Sequence, residues 1–159
     1  MAISPDRLGK ITRKLALKGY RLTKQRAMTL EVLLEKEMEY LTAEEVFLLT
    51  KGKYPLIGIA TVYRTLELLS ELRIVQKIAL IDKSTRFGFR NDESEHRQHH
   101  LICHECGLIE TVKEDWLLEM EIDLNCKFGF KVLDHSLDFI GTYAVCNENA
   151  CKKSGLSVS

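Results

Sequence analysis

Four cysteines in this 159-residue chain fall as two close pairs, Cys103-His104-Glu105-Cys106 and Cys146-Asn147-Glu148-Asn149-Ala150-Cys151. Each pair offers two thiolates from one turn. A fold that joins the two turns builds a closed, tetrahedral zinc site from Cys103, Cys106, Cys146 and Cys151. The stretch His96-Arg97-Gln98-His99-His100 runs straight into the first pair and adds imidazoles, which extends the metal chemistry beyond one structural ion. In an extended segment alternate side chains share a face. His96, Gln98 and His100 then lie on one side, and Arg97 and His99 on the other. Cys126 is left over, near the end of an apolar helix, and reads as a buried free thiol. An odd cysteine count with CxxC spacing favours metal over disulfides, hence a reducing, cytoplasmic setting. The sequence has no apolar run long enough to cross a bilayer and no secretory leader.

These residues need elements to position them. Leu8, Ile11 and Leu15 recur at helical spacing, and Gly19 ends that helix. Thr23 is a predicted N-cap for a second helix carrying Ala27, Leu30, Val32, Leu33 and Leu34. Thr42-Ala43-Glu44-Glu45 reads as a capping box, opening a third helix that Gly52 and Tyr54-Pro55 terminate. A fourth helix starts near Ile59 and runs to Leu69. Ile74–Ile81 and Thr85–Phe89 follow as strands around a polar turn, Asp82-Lys83-Ser84. Helices followed by a hairpin is the order of a winged helix-turn-helix, whose last helix enters the major groove.

Asn91–Gln98 reads as a linker, dividing the chain into a winged-helix domain, 1–90, and a metal-binding domain, 91–159. His99–Ile102 and Leu108–Val112 are predicted strands around the CxxC turn. Trp116, Leu117, Met120 and Leu124 form an apolar helical stripe that Gly129 closes, and Phe130–Tyr143 reads as a strand. The second half is thus a small α+β module, thin without zinc or a partner subunit.

The formal net charge of zero hides an opposition. Residues 1–90 hold 17 of the 23 Lys and Arg but only 10 of the 23 Asp and Glu, leaving +7 there and −7 in the remainder. Arg7, Lys10, Arg13, Lys14, Lys18, Arg21, Lys24 and Arg26 face a single acid, Asp6. Such a cluster suits a polyanion, and DNA is the natural candidate.

Four segments carry a resemblance that spans nearly the whole chain. They are Gly19-Tyr20-Arg21-Leu22-Thr23-Lys24-Gln25-Arg26, Gly58-Ile59-Ala60-Thr61-Val62-Tyr63-Arg64-Thr65-Leu66, the run from His99 to Gly107, and Gly129-Phe130 with Asp134-His135-Ser136-Leu137. In order and spacing they resemble the ferric uptake regulator family. The resemblance implies a metal-responsive transcriptional regulator with an N-terminal winged helix-turn-helix and a C-terminal α+β dimerisation domain. It implies a homodimer that binds palindromic operators, usually as a repressor. Tyr63 and Arg64 would face bases or phosphates in the major groove, with Thr61 on the same helix face. Arg21 would reach the minor groove or its flanking phosphates. Arg reads guanine bidentately, and Tyr can pack on a thymine methyl.

The resemblance also implies metal sites, and here the chain departs. The four cysteines match a structural zinc site, except that the family's third cysteine position falls on Tyr143, three residues before Cys146. The family's regulatory site maps to Tyr40, Gly88, Gln98, His100 and Thr111, where only His100 is a strong ligand. A further site maps to Arg97, His99, Leu118 and His135, where two ligands survive. A second divalent ion (iron, manganese or zinc) would have to be rebuilt from His96, His99, His100, His135 and an acid such as Glu119. With so many ligands missing, control by metal does not follow from the family alone. The alternative is a zinc-stabilised dimeric regulator that answers a non-metal signal or acts constitutively. A zinc hydrolase or deaminase is excluded by its needs: four thiolates close the metal, and neither HExxH nor HxE with PCxxC is present.

Overall fold

Local capping signals set the first helices. Helix α1 (Pro5–Leu17) stops where Gly19 takes a φ of 79°. Gly19 N–H then donates to Ala16 C=O at 3.0 Å and Tyr20 N–H to Leu15 C=O at 2.9 Å, which satisfies the last carbonyls. Thr23 caps α2 (Lys24–Glu35) by accepting from the Arg26 N–H. Thr42 and Glu45 form the reciprocal capping box of α3 (Ala43–Lys53), which runs through Gly52 and ends at Tyr54. Helix α4 (Ile59–Glu71) starts from Gly58.

The computed structural model describes residues 5–90, 98–144 and 146. Two units divide the chain, Met1–Asp92 and Glu93–Ser159. In the first, α2, α3 and α4 pack on one another. Leu15, Leu30, Val46, Val62 and Leu66 are wholly buried between them. Thr29, Thr50 and Thr65 are buried too, and each hydroxyl donates to the carbonyl four residues back, so none of the three hydroxyls is stranded. The wing is β2 (Val75–Ala79) paired antiparallel with β3 (Thr85–Phe89). A third strand, β1 (Tyr40–Thr42), joins the other edge of β3 and gives the order β1-β3-β2. Its three residues are too few to show a period of two, which is why the sequence pattern misses it.

The second unit is a small sheet of order β5-β4-β6. Strand β4 (His99–Cys103) runs antiparallel to β5 (Ile109–Val112) and parallel to β6 (Asp138–Gly141). Two sequence expectations change here. Only Asp138–Gly141 of the Phe130–Tyr143 stretch is strand. And α5 (Leu118–Phe128), ended by Gly129 at φ 62°, buries none of its residues within one chain. Trp116 and Leu117 precede the helix rather than lie on it. Leu118, Met120, Ile122 and Phe128 stay exposed, and so does Cys126, which is not the buried thiol expected. The predicted linker, with His96 and Arg97, lies outside the described residues apart from Gln98, as does Cys151.

Candidate metal and DNA-contact sites

The CxxC turn is built by backbone bonds. Gly107 takes a φ of 71° and returns its N–H to Cys103 C=O at 2.9 Å, while the Leu108 N–H points at the Cys106 sulfur, 3.4 Å away. The chain then re-enters the sheet, with Cys103 N–H on Leu108 C=O at 2.9 Å. From the other end of the unit comes Cys146. Cys146 stands three residues past the family's third cysteine position, and its N–H donates to Tyr143 C=O at 2.9 Å, which closes a turn. That turn returns the Cys146 sulfur to 3.4 Å from Cys103 Sγ and 3.8 Å from Cys106 Sγ. Four sulfurs at about 2.3 Å around one zinc stand roughly 3.8 Å apart, so these three thiols fit the ion. Burial alone would raise the Cys103 thiol. The N–H groups of Cys106 and Tyr143 and the thiols of Cys146 and Cys106 outweigh it and bring the pKa down to about 6. A thiol held near its thiolate form is the donor zinc prefers. Tyr143, at the family's third cysteine position, is tied by its hydroxyl to Glu110 at 2.6 Å.

A second group of donors converges nearby in the same unit: His99, Asp115 and His135, with their ligand atoms within 4.8 Å of one another. Asp115 Oδ1 lies 3.9 Å from His99 Nε2 and 3.7 Å from His135 Nε2. It is oriented by the Leu117 N–H, which donates to it at 3.2 Å. His135 is prepared for metal: Glu121 accepts its Nδ1–H at 2.5 Å, which leaves the Nε2 lone pair facing the group. His99 is not. Its Nδ1 accepts the Leu137 N–H at 3.1 Å, so the neutral ring carries its proton on Nε2, and an ion must displace that proton. Burial, then the neighbouring His135, lowers the His99 pKa and keeps the ring neutral. The donor set of two imidazoles and a carboxylate fits divalent iron, manganese or zinc, with one arm poorly prepared.

The expected ligands divide accordingly. His99 and His135 meet. His100 does not join them, because strand alternation turns it to the opposite face of β4, where Asp138 Oδ1 holds its Nδ1 at 2.9 Å. Glu119 lies in the first turn of α5, outside the converging group, and Asp115 stands where an acid was sought. Asp115 escaped sequence reasoning because the gap between Thr111 and the helix hides which acid turns inward, and Glu121 because it meets His135 only through the fold.

At Tyr40 and Gly88, where the resemblance implies ligands of a regulatory site, the structure shows a packing contact. Tyr40 pairs with Gly88 across β1 and β3, and the Tyr40 ring covers the glycine. A Cβ at position 88 would stand 2.4 Å from Tyr40 Cε1. Neither residue offers a metal donor of use, and the two substitutions fit one another. Gly88→Asp is expected to destabilise the protein by about 1–3 kcal/mol through overpacking. Tyr40→Ala in the same chain should remove much of the added cost, giving coupled rather than additive losses in urea unfolding. A Gly88→Asp protein as stable as the parent would contradict the packed contact.

The prospective DNA surface is the outer edge of α4. Val62, Thr65 and Leu66 are buried beneath it, while Tyr63 and Arg64 are exposed and Thr61 is half-buried. Tyr63 donates its hydroxyl to Glu44. Arg21 is exposed. The basic N-terminal run is partly committed to the fold. Arg7 pairs with Glu37 and lies 4.8 Å over the Phe89 ring, and Arg26 lies over Tyr20 and donates to Arg21 C=O. Arg13, Lys14, Lys18, Arg21 and Lys24 take no acid partner among the described residues.

A winged-helix unit joined to a cysteine-bearing α+β unit is the architecture of a small class of regulators, and the comparisons place the chain among them. The family model "Ferric uptake regulator family" matches residues 17–140. The chain is 45% identical over 142 residues to the ferric uptake regulation protein of Bacillus subtilis, covering 89% of this chain and 95% of that one. It is 35% identical over 136 residues to the peroxide operon regulator of the same organism, covering 86% and 88%. The crystal structure of the Vibrio cholerae ferric uptake regulator superposes with a TM-score of 0.64 at 26% identity, over 83% of this chain and 98% of that one. The chain belongs to the ferric uptake regulator family, whose members are DNA-binding transcriptional regulators and not enzymes.

Proposed function

We propose that this chain is a cytoplasmic, zinc-containing, homodimeric repressor that reads a palindromic operator with α4. One observation carries the reading: α4 is packed on its inner side and open on the outer one, where Tyr63 and Arg64 stand clear of the core. Thr61 completes that face, and Arg21, with the unpaired cations of α1, contacts flanking phosphates. A structural zinc is held by Cys103, Cys106 and Cys146, with Cys151 as fourth ligand. When bound it ties β4 to the end of the chain and supplements a thin core. The apolar residues left open on and around α5 (Met120, Ile122, Phe128 and Phe130 among them) form the dimer face. No helix among the described residues is long and apolar enough to cross a membrane.

The 45% identical relative named for ferric uptake favours a metal-dependent regulator over a constitutive one. In this chain a second divalent ion then binds at His99, Asp115 and His135, not at positions 40, 88, 98 and 111. The tautomer of His99 makes that site weak. The single tryptophan, Trp116, lies parallel to His99 with centroids 6.4 Å apart and serves as its reporter. Manganous ion should change Trp116 fluorescence in zinc-loaded protein. His135→Ala should abolish the change, and Glu121→Gln should weaken binding about 10- to 100-fold. Tight uptake that survives His135→Ala would place the site elsewhere.

The test of the function itself is selection from a randomised duplex pool by the zinc-loaded protein. Enrichment of a palindrome is expected. A pool that stays random would remove the proposal.

A further inference from the structure

We propose that Glu44 is a positioning residue for DNA readout: by accepting a hydrogen bond from the Tyr63 hydroxyl it pins the ring to α3 and leaves Tyr63 an acceptor towards bases instead of a donor to phosphates. The inference rests on α4 being the recognition helix. Glu44 and Glu45 are adjacent acids in the first turn of α3, but their work differs. The Glu45 carboxylate accepts the Thr42 N–H in the capping box and stands 3.8 Å from Arg86. Glu44 is the acid that faces α4, and its carboxylate meets the Tyr63 hydroxyl across the two helices.

That contact decides what Tyr63 can offer. A phenol with a free proton donates to any phosphate oxygen, a bond that ignores sequence. With the proton held by Glu44, the oxygen lone pairs and the ring edge remain. Lone pairs match the exocyclic amino groups of adenine and cytosine in the major groove, and the ring suits a thymine methyl. The pair is also fixed in its protonation. The Tyr63 bond lowers the Glu44 pKa, and the Glu44 bond raises that of Tyr63, so the carboxylate stays charged and the phenol protonated at neutral pH. A carboxylate beside a phosphate-binding surface weakens attraction to every duplex. Its effect is therefore selective: less affinity for random DNA, more discrimination.

The experiment compares a duplex enriched by the parent protein from a randomised pool with the unselected pool, by fluorescence anisotropy on zinc-loaded protein. Glu44→Ala should lower the affinity ratio between the two on the order of 3- to 10-fold, the scale of one hydrogen bond, while affinity for the random pool rises. Glu44→Gln keeps an acceptor for the hydroxyl. It should hold the ratio within about twofold and still raise affinity for both duplexes. Tyr63→Phe should lose at least as much discrimination as Glu44→Ala, since it removes the phenol oxygen itself, and the double variant no more than Tyr63→Phe alone, because Glu44 acts through that hydroxyl. A Glu44→Ala protein that discriminates like the parent, or losses that multiply in the double variant, would overturn the role. A purely structural part in α3 would instead lower the unfolding midpoint and weaken both duplexes equally, which also counts against it. Arg64→Ala runs in parallel. If it leaves selected-duplex binding intact, the reading of α4 fails. If it weakens binding while Glu44→Ala is silent, only the role of Glu44 fails.

Discussion

Cys103→Ser is expected to release the zinc proposed at the cysteine cluster and to destabilise the second unit. This is the largest effect the structure predicts. Cys103 is buried, begins the CxxC turn, and lies within 3.4 Å of the Cys146 sulfur. Replacing it leaves a closed site with three thiols and removes a thiol whose pKa is brought down to about 6. The small sheet has little else to hold it, since α5 buries no residue within one chain. Binding of zinc to four thiolates contributes roughly 10 kcal/mol or more in small zinc modules, so its loss should exceed what this unit can withstand alone. The expected readings are loss of stoichiometric zinc by elemental analysis, a shift from dimer to monomer by sedimentation, and a lowered unfolding midpoint. A Cys103→Ser protein that keeps one zinc per subunit and full stability would show that the ion is not held there.

The second large effect falls on DNA. Arg64→Ala should cost about 1–3 kcal/mol of operator affinity if the guanidinium reads a base, with the loss confined to the preferred sequence. A phosphate contact would behave otherwise: affinity falls for all duplexes alike, and the salt dependence flattens by about one unit of slope. Arg21→Ala is expected to follow the second pattern, because Arg21 lies in the loop before α2 and not on α4. Operator affinity unchanged in both variants would remove the proposed surface.

How much of this was legible beforehand depends on the range of the interaction. Caps are local, and they were readable: Thr23, the Thr42–Glu45 box and Gly19 behave in the structure as their residue types dictate. The winged-helix order followed from these and from the hairpin alternation. What depended on long-range pairing was not readable. Strand β1 exists only because β3 offers it an edge, and the covering of Gly88 by Tyr40 follows from that pairing. In the second unit the ligand set shifted for the same reason. His99 and His135 were named from sequence, but the acid between them is Asp115, brought in by the turn before α5, and His100 is turned away by strand alternation. The exposure of α5 had no local signature, because an amphipathic stripe looks the same whether its own chain or a second copy covers it.

A zinc-loaded protein that reads DNA sequence through α4 must discriminate between duplexes. The most direct measurement is the dissociation constant for a palindromic duplex selected by the protein, and for a scrambled duplex of the same composition, across a range of salt. Tighter binding to the palindrome is expected at every salt concentration, with log affinity falling linearly in log salt for both. Equal affinity for the two duplexes, or binding indifferent to salt, would contradict readout through α4.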